Sequence, residues 1–335
     1  MTPHLMRFTP PPRWLVALVL LLGAGHYANG LHAQERSPGS EVLETVQIRP
    51  NVFVIVGAGG NITVQTGPDG AIVVDSGSAP MADKVLSTIK ALIGPSDSIR
   101  MVINTSADVD HAGGNDTLAK TGVSFNANVQ FTGGASAEVL AREEVLLRMS
   151  APTGEPSPFA TALWPTETFT QKTKSMYVNG EGIQVMHMPA AHTDGDSIVF
   201  FRRADVIATG DIVDLRRFPV IDAARGGTVQ GEIAALNRLL ELAIPAMPLV
   251  WREDRTLVVP GHGRVADHVE LVDYRDMVTV VRDIIQNMIA KGMTLAQITA
   301  ANPTAGFRAR YGAETGPWTT DMFVEAVYTD VMRTR

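Results

Sequence analysis

The stretch Met101–Asp116 reads MVINTSADVDHAGGND, and it decides how the rest of the chain is interpreted. Its short apolar run, Met101–Ile103, ends in polar residues and two glycines, and a helix start is predicted at Asn115. This pattern is typical of a buried strand that runs into a functional loop. The alternative for an acidic, glycine-rich loop is a solvated turn. The side chains able to bind or contact a metal are Ser106, Asp108, Asp110, His111 and, as a weaker candidate, Asn104.

The N-terminal segment has the features of a secretory signal peptide. Two arginines precede an apolar run over 14–24, and Ala33 supplies a small residue before a cut at Gln34. A membrane anchor is the weaker alternative, because the run is shorter than the ~20 residues needed to span a bilayer. The chain therefore divides into a signal peptide over 1–33, a flexible leader over 34–44 and one domain with C-terminal helices over 45–335. We expect a periplasmic or secreted protein.

Composition narrows the range of functions. The 335 residues carry a formal net charge of −7 and include no cysteine. No basic stripe is present, which argues against nucleic acid as a partner. In an exported protein without cysteine, stability comes from the core, and a metal site must be built from His, Asp and Glu.

Hydrophobic periodicity predicts a mixed order of elements. Short β-rich runs between Val46 and Val74 predict an antiparallel meander. Later strands are predicted at 123–126, 175–178, 183–188, 197–201, 206–208 and 256–259. Helices are predicted at 80–93, 116–120, 135–149, 232–242, 265–290, 294–300 and 318–332. The proline-rich segment 151–165 is either a lid over a site or a surface connection.

Three more polar clusters follow predicted strands. They are the segment His192–Asp196, Asp211 after Gly210, and His262 between two glycines. Each cluster lies at a strand end beside a glycine that permits a sharp turn, so all could converge on one sheet edge. Three of the eight histidines of the chain, His111 among them, fall at such strand ends. This concentration favours a joint metal site.

In this order the four clusters resemble the metallo-β-lactamase superfamily. The first motif of that family is usually His-x-His-x-Asp-His after a pair such as Asn-Thr. The corresponding stretch here is Asn104–His111, and the later motifs match at His192, Asp211 and His262.

The resemblance covers about residues 45–265. Phe218–Asp222 and the pair Gly226-Gly227 are similar to an exported branch of the superfamily. The resemblance implies an α/β (α+β) protein, a four-layer αββα sandwich, and a hydrolase that binds one or two zinc ions.

The resemblance also implies one complete metal site. Its ligands are Asp110, His111, His262 and a bridging Asp211. Two imidazoles and two carboxylates suit one Zn²⁺, with another divalent metal such as Fe or Mn as the alternative.

The other metal site departs from the family pattern. Ser106 and Asp108 stand where the family has two histidines, so this site keeps at most Asp108, His192 and the bridging Asp211. A serine hydroxyl is a poor zinc ligand at neutral pH, and an aspartate favours harder cations. We therefore expect one zinc ion, or a second one bound more weakly.

The expected catalytic carboxylates are Asp110 and Asp108, of which Asp108 would orient a water or take its proton. Asp75 and Asp196 are candidates for orienting the ligand histidines, with turn formation as the alternative. Trp164 is a candidate pocket residue.

Other polar residues have less specific interpretations. Arg216 and Arg217 could meet an anionic substrate, although exposed loop arginines are commoner. His187 is interpreted as a packed or hydrogen-bonded strand histidine.

Two functions from different classes follow. The first is an exported metal-dependent hydrolase that acts on an ester, lactone, amide or phosphoester of a small molecule. The second is a hydrolase-fold protein with a degenerate first metal site, which serves for binding or has little activity. No stable membrane anchor is expected after signal cleavage, and the oligomeric state is left open.

Overall fold

The computed structural model describes residues 42–94, 97–125, 136–152, 154–246 and 255–333. The predicted signal peptide and most of the predicted leader lie outside these residues. Among the described residues, no helix is both long and apolar enough to cross a membrane. The chain from Val42 to Arg335 forms one compact unit.

The first sheet contains seven strands in sequence order. They are β1 (Glu44–Arg49), β2 (Val52–Ala58), β3 (Gly60–Gln65), β4 (Ala71–Val74), β5 (Ile99–Ile103), β6 (Glu138–Arg142) and β7 (Glu167–Phe169). Strands β1 to β4 pair antiparallel, which confirms the predicted meander. Strands β4 to β7 pair parallel.

The second sheet has the order β12-β11-β10-β9-β8. Its strands are β8 (Thr173–Val178), β9 (Glu181–His187), β10 (Ser197–Phe201), β11 (Val206–Ala208) and β12 (Leu257–Val259). The pairs are antiparallel except for β11 and β12, which run parallel.

Helices connect and flank the strands of both sheets. They are α1 (Ala82–Ile93), α2 (Val109–Ala112), α3 (Asn115–Thr121), α4 (Glu143–Met149), α5 (Val229–Leu242), α6 (His268–Ala290), α7 (Leu295–Ala300), α8 (Arg308–Tyr311) and α9 (Thr320–Arg333). The start of α3 at Asn115 and the long helix α6 agree with the periodicity of the sequence.

The packing of apolar side chains gives four layers. Ile103 of the first sheet and Phe201 of the second belong to the core between the sheets. Ile89 of α1 packs on the outer face of the first sheet, and Leu236 of α5 and Tyr274 of α6 pack on the outer face of the second. The apolar surface buried in the three cores between these four layers stabilises a chain that has no disulfides. The predicted αββα sandwich is confirmed.

The predicted helix over 135–149 is wrong in its first half. Glu138–Arg142 is strand β6, parallel to β5, and only Glu143–Met149 is helical. Val139, Leu140 and Ala141 are all buried, because a strand inside a parallel sheet is covered on both faces. Such a strand reads as a continuous apolar run, which periodicity does not distinguish from a helix.

The predicted strand over 123–126 is also wrong where it is described, because residues 123–125 form no strand. Two aromatic residues of the proline-rich segment have different surroundings, and the choice between a lid and a surface connection stays open. Phe159 lines a cavity described below. Trp164, the predicted pocket residue, packs instead with the small apolar cluster around Met149.

Parallel pairing brings the loops that follow the strands to one edge. Val74 pairs with Ile103, so the loops that begin at Asp75 and Asn104 start side by side. Ala208 pairs with Val259 in the second sheet, which does the same for the loops of Asp211 and His262. The Ser197 amide donates to the Thr105 carbonyl at 2.9 Å, and this bond joins the edges of the two sheets.

Candidate metal centre

His111 is held in place by a buried carboxylate. Its Nδ1 donates to Asp75 Oδ2 at 2.7 Å, and both residues are buried. Asp75 also accepts from the Thr105 amide at 2.8 Å and from the Thr105 hydroxyl at 2.7 Å. These bonds fix the ring and leave Nε2 directed toward Asp211, whose Oδ1 is 3.1 Å away. Asp75 therefore lies where a residue that orients a ligand histidine should lie.

The first cluster of potential ligands, the His111 group, consists of Asp110, His111 and His262. One ligand atom from each residue lies within 4.8 Å of the others. His262 Nε2 is 3.2 Å from Asp110 Oδ2 and 3.3 Å from Asp211 Oδ1. Asp211 therefore adjoins this group as a fourth potential ligand.

The second cluster, the His192 group, consists of Asp108, His192 and Asp211, again with ligand atoms within 4.8 Å of one another. His192 Nε2 is 2.9 Å from Asp108 Oδ2 and 3.9 Å from Asp211 Oδ2. Asp211 thus stands between the two groups. The structure brings all six predicted ligand residues together, and their binding of a metal stays a prediction.

The two remaining candidate residues of the loop, Ser106 and Asn104, form hydrogen bonds with other protein side chains. Ser106 is buried, and its hydroxyl donates to Asp108 Oδ2 at 3.2 Å. The Asn104 amide exchanges hydrogen bonds of 3.0 and 2.8 Å with that of Asn115. Ser106 therefore supports Asp108, and Asn104 fastens the loop to α3.

His192 is oriented by a main-chain carbonyl. Its Nδ1 donates to Val220 O at 2.7 Å. Asp196 does not hold a ring, because it accepts from the amide and the hydroxyl of Thr193, each at 2.7 Å. The alternative interpretation of Asp196, a turn-forming residue, is the correct one. His187 also fits its interpretation, since Nε2 donates to the Asp194 carbonyl at 2.7 Å.

Glycine allows the main chain to approach the site closely. A Cβ atom at Gly261 would lie 2.7 Å from Asp211 Oδ1, and one at Gly60 would lie 3.0 Å from the His111 ring. Neither distance is sterically acceptable without movement of the neighbour, so a side chain at either position would displace a potential ligand.

The carboxylates and imidazoles shift the pKa values of one another. Burial opposes the ionisation of Asp211, but the charges and hydrogen bonds of His111 and His262 hold its pKa well below the usual range. Burial likewise opposes a proton on His192. Its hydrogen bond to Asp108, together with nearby carboxylates, nevertheless raises the pKa of His192 to about 10. A bound cation would take the place of such protons, so protons and metal compete here.

A cavity of about 540 Å³ is lined by residues of both groups. Its other walls combine apolar side chains with two guanidinium groups, and they include Phe159, Val220, Trp318, Arg217 and Arg225. A larger cavity of about 840 Å³, lined in part by Arg49 and Arg202, shares no lining residue with either group.

Sequence reasoning missed Arg225 and Trp318. Arg225 Nη1 is 2.6 Å from Asp108 Oδ1, although 117 residues separate the two in the chain. The only sequence signal for Arg225 was its position beside the pair Gly226-Gly227. Trp318 reaches the cavity from the C-terminal region, and no motif pointed to it.

The donor set suits a divalent cation. Because Asp75 and Val220 occupy Nδ1 of His111 and His192, each ring offers Nε2 to the site. Imidazole nitrogen and carboxylate oxygen are ligands of zinc and of other divalent first-row metals. The residues of the His111 group together with Asp211 therefore fit a metal ion.

The family model of the metallo-beta-lactamase superfamily matches residues 55–262, which is more than half of the chain. The chain belongs to the metallo-β-lactamase superfamily. The match includes all four clusters described above. A search of curated protein sequences finds no significant match.

Solved structures of this superfamily share the fold. The inverting sec-alkylsulfatase Pisa1 from Pseudomonas sp. aligns with a TM-score of 0.60 and 16% identity over 86% of this chain. The chain spans only 50% of the length of that protein. A metallo-beta-lactamase from Pontibacter korlensis aligns with a TM-score of 0.51 and 17% identity, over 71% of this chain and 99% of its own. At these identities the likeness concerns the fold. The protein is thus a member of this superfamily that carries candidate His/Asp metal groups.

Proposed function

We propose that this metallo-β-lactamase-fold protein is an exported, zinc-dependent hydrolase of a small molecule that carries an ester, lactone, amide or phosphoester bond. The observation that carries the proposal is the position of Asp211, shared by two His/Asp groups that line one cavity. Export rests on the N-terminal sequence alone.

The His111 group and Asp211 would hold the ion. A zinc ion in such a site would act as a Lewis acid. It would lower the pKa of a bound water toward ~7 and polarise the bond to be hydrolysed. Asp75 orients the ring of His111 in this group, and the Val220 carbonyl orients the ring of His192 in the neighbouring group.

Asp108 is better suited to orient a water than to take its proton. Burial opposes the ionisation of Asp108, but His192 and Arg225 outweigh burial and hold its pKa well below the usual range. A carboxylate with such a low pKa is a weak base, yet it remains a strong hydrogen-bond acceptor.

The cavity suggests the form of the substrate. Phe159 and Trp318 offer apolar surface, and Arg217 and Arg225 offer cationic groups. We therefore expect a substrate with an apolar part and an anionic or strongly polar part. Because one structural neighbour is named a sec-alkylsulfatase, alkyl sulfate esters belong in the substrate panel.

The alternative is a binding protein with little activity. Its support is the altered His192 group, in which Asp108 is bound by Arg225 at 2.6 Å. The two proposals differ in whether the centre turns over a substrate.

Elemental mass spectrometry and a hydrolysis panel, applied to the wild-type protein and Asp211→Ala, test the proposal. We expect bound zinc in the wild type, loss of zinc in the variant, and hydrolysis of at least one ester-type substrate that a chelator abolishes. A metal-loaded protein that hydrolyses none of the panel would favour the binding protein. Absence of metal even after titration with zinc would refute the hydrolase.

A further inference from the structure

Asp108 has its carboxylate oxygens occupied by protein groups. Oδ1 lies 2.6 Å from Arg225 Nη1. Oδ2 lies 2.9 Å from His192 Nε2 and 3.2 Å from the Ser106 hydroxyl. A metal ion bound to Oδ2 in the His192 group would compete with His192 and Ser106 for that oxygen, and it would lie beside the positive charge that Arg225 already places on Oδ1. The carboxylate is therefore already neutralised by a cation that belongs to the chain.

The main chain holds Arg225 firmly at this place. Arg225 ends the short 3-10 turn Ala223–Arg225, and the Asp222 side chain accepts from its amide at 2.9 Å. Asp222 Oδ2 also accepts from Arg225 Nε at 2.6 Å. The Asp222 amide donates to the His192 carbonyl at 3.0 Å, which ties the turn to the loop of the ligand.

Two further residues donate hydrogen bonds to the Arg225 carbonyl. The Asp194 amide donates to it at 2.9 Å, and Arg148 donates to it at 3.2 Å. A Cβ atom at Gly227 would lie 2.1 Å from the His192 carbonyl oxygen, so the turn and the loop are in direct contact. The guanidinium is thus positioned by the same backbone that positions His192.

We propose that the Arg225 guanidinium takes the place of the first metal ion, so that the centre binds a single divalent ion in the His111 group. This inference rests on the proposed function, because it presupposes a metal-dependent centre. It also explains how a site with Ser106 and Asp108 in place of two histidines keeps a positive charge beside Asp108.

The charges around the cavity agree with a single ion. The carboxylates that line it are Asp108, Asp110, Asp211 and Asp214, and the guanidinium groups are Arg217 and Arg225. The four carboxylates and two guanidinium groups leave a formal charge of −2, which one divalent ion would balance. A second ion would leave the cavity with an excess of positive charge and would lie close to Arg225.

The test is the zinc content of the full chain after equilibrium dialysis against buffered zinc, measured by elemental mass spectrometry. We expect about one ion per chain in the wild type and about two in Arg225→Ala, because freed carboxylate oxygens then bind a second ion. Arg225→Gln keeps the length of the side chain without the charge and should also gain the second ion. Arg225→Lys keeps the charge and should not.

Arg217→Ala is the matched control. Arg217 lines the same cavity and is also ion-paired, with Asp214 Oδ2 at 2.8 Å, but it does not touch Asp108. Its removal should leave the zinc content at the wild-type value. A second ion in Arg217→Ala would show that the charge of the cavity, and not Arg225, limits binding.

The remaining outcomes separate the two proposals. Two ions in the wild type, or a single ion in folded Arg225→Ala and Arg225→Gln, would overturn the role of Arg225 and leave the hydrolase intact. No zinc in any form would overturn the proposed function itself. Circular dichroism of each variant identifies a change that merely unfolds the protein.

Discussion

Asp75 combines an unusual backbone with a decisive contact. It occupies the left-handed region, with φ at 63°, and it accepts the Nδ1 hydrogen of His111. Few residues other than glycine adopt this conformation, and aspartate and asparagine are among those that do. The Asp75 carboxylate therefore contacts His111 from a left-handed backbone conformation that would be strained for most other residue types.

Asp75→Asn should weaken zinc binding by roughly 10- to 100-fold, since the group that orients a ligand histidine loses its charge. Competition with a chromophoric chelator measures the affinity. Asp205→Asn is the matched control, because Asp205 also has a positive φ, 55°, but accepts from Thr256 away from the site. An unchanged affinity in Asp75→Asn would mean that His111 needs no such support.

Glu232 is a second buried carboxyl group with a definite consequence. It lies on α5, it is fully buried, and neither oxygen has a hydrogen-bond partner among the described residues. Burial, together with the charge of Asp196, raises the pKa of Glu232 well above its ordinary value of 4.5. The folded chain therefore keeps a proton that the unfolded chain releases.

The sign of the pH effect follows from this proton. Above pH 4.5 the unfolded state binds fewer protons at Glu232, so stability falls as pH rises, by at most about 1.4 kcal/mol per pH unit. Glu232→Gln removes this term, so the variant should be more stable than the wild type at pH 8 and similar to it at pH 4. Urea unfolding of chelator-treated protein at both pH values measures the difference.

Glu241→Gln provides the control on the same helix. Glu241 is exposed and pairs with Arg238 at 2.8 Å, so its replacement should produce no such trend. A difference between Glu232→Gln and the wild type that is equal at both pH values would contradict a protonated Glu232.

At the scale of elements, the metal centre depends on close main-chain contacts between segments that carry glycine. The β12 loop places Gly261 against Asp211, and the Gly261 carbonyl accepts from the Asn61 amide of the opposite sheet at 2.8 Å. The β12 loop of the second sheet thus meets the start of β3 in the first sheet, and it does so in direct contact with Asp211.

Gly261→Ala should abolish zinc binding or weaken it at least tenfold, because the new methyl group would lie 2.7 Å from Asp211 Oδ1. Isothermal titration with zinc measures the loss. Gly306→Ala is the control, since a Cβ atom there meets nothing within 4 Å. Normal zinc affinity in Gly261→Ala would show that the loops adapt.

Among the strands, hydrophobic periodicity predicts β8 but not β6. The exposed alternation of β8, with Thr173, Ser175 and Tyr177 on the solvent side, is visible in the sequence. Strand β6 is not, because its buried residues form an uninterrupted run ahead of a true helix. Only the tertiary partners β5 and β7 decide that Glu138–Arg142 is extended.

At the scale of the whole molecule, a metal ion bound at this centre would link two sheets that belong to different parts of the chain. Asp110 and His111 follow the first sheet, whereas Asp211 and His262 follow the second. A ligand that binds only the folded state stabilises it by about 2.7 kcal/mol at a concentration 100 times its Kd. We therefore expect bound zinc to stabilise the folded arrangement of the two sheets.

Zinc should raise the Tm of the protein by roughly 5 °C at that concentration, and a chelator should reverse the change. Differential scanning calorimetry measures both. In Asp211→Ala the Tm should be nearly independent of zinc. A Tm that zinc does not change in the wild type would indicate that no ion joins the sheets.

The motifs of the sequence were sufficient for the fold family and for six potential ligands, because each lies directly after a strand whose pattern is clear. Arg225 could not be predicted in this way. Its contact with Asp108 spans 117 residues, and it depends on the path of a turn that the sequence does not specify. Long-range ion pairs are formed by tertiary structure and leave no local pattern.

The Arg225 guanidinium beside Asp108 differs from a metal ion because its presence does not depend on the concentration of free ions. A metal site fills according to the concentration of free ions around it, and it empties on dilution or in competition with other binders. A side chain is present once in every copy of the protein and is not exchanged. The His192 group therefore always contains its cation, the Arg225 side chain. Only the His111 group depends on the concentration of free metal ions.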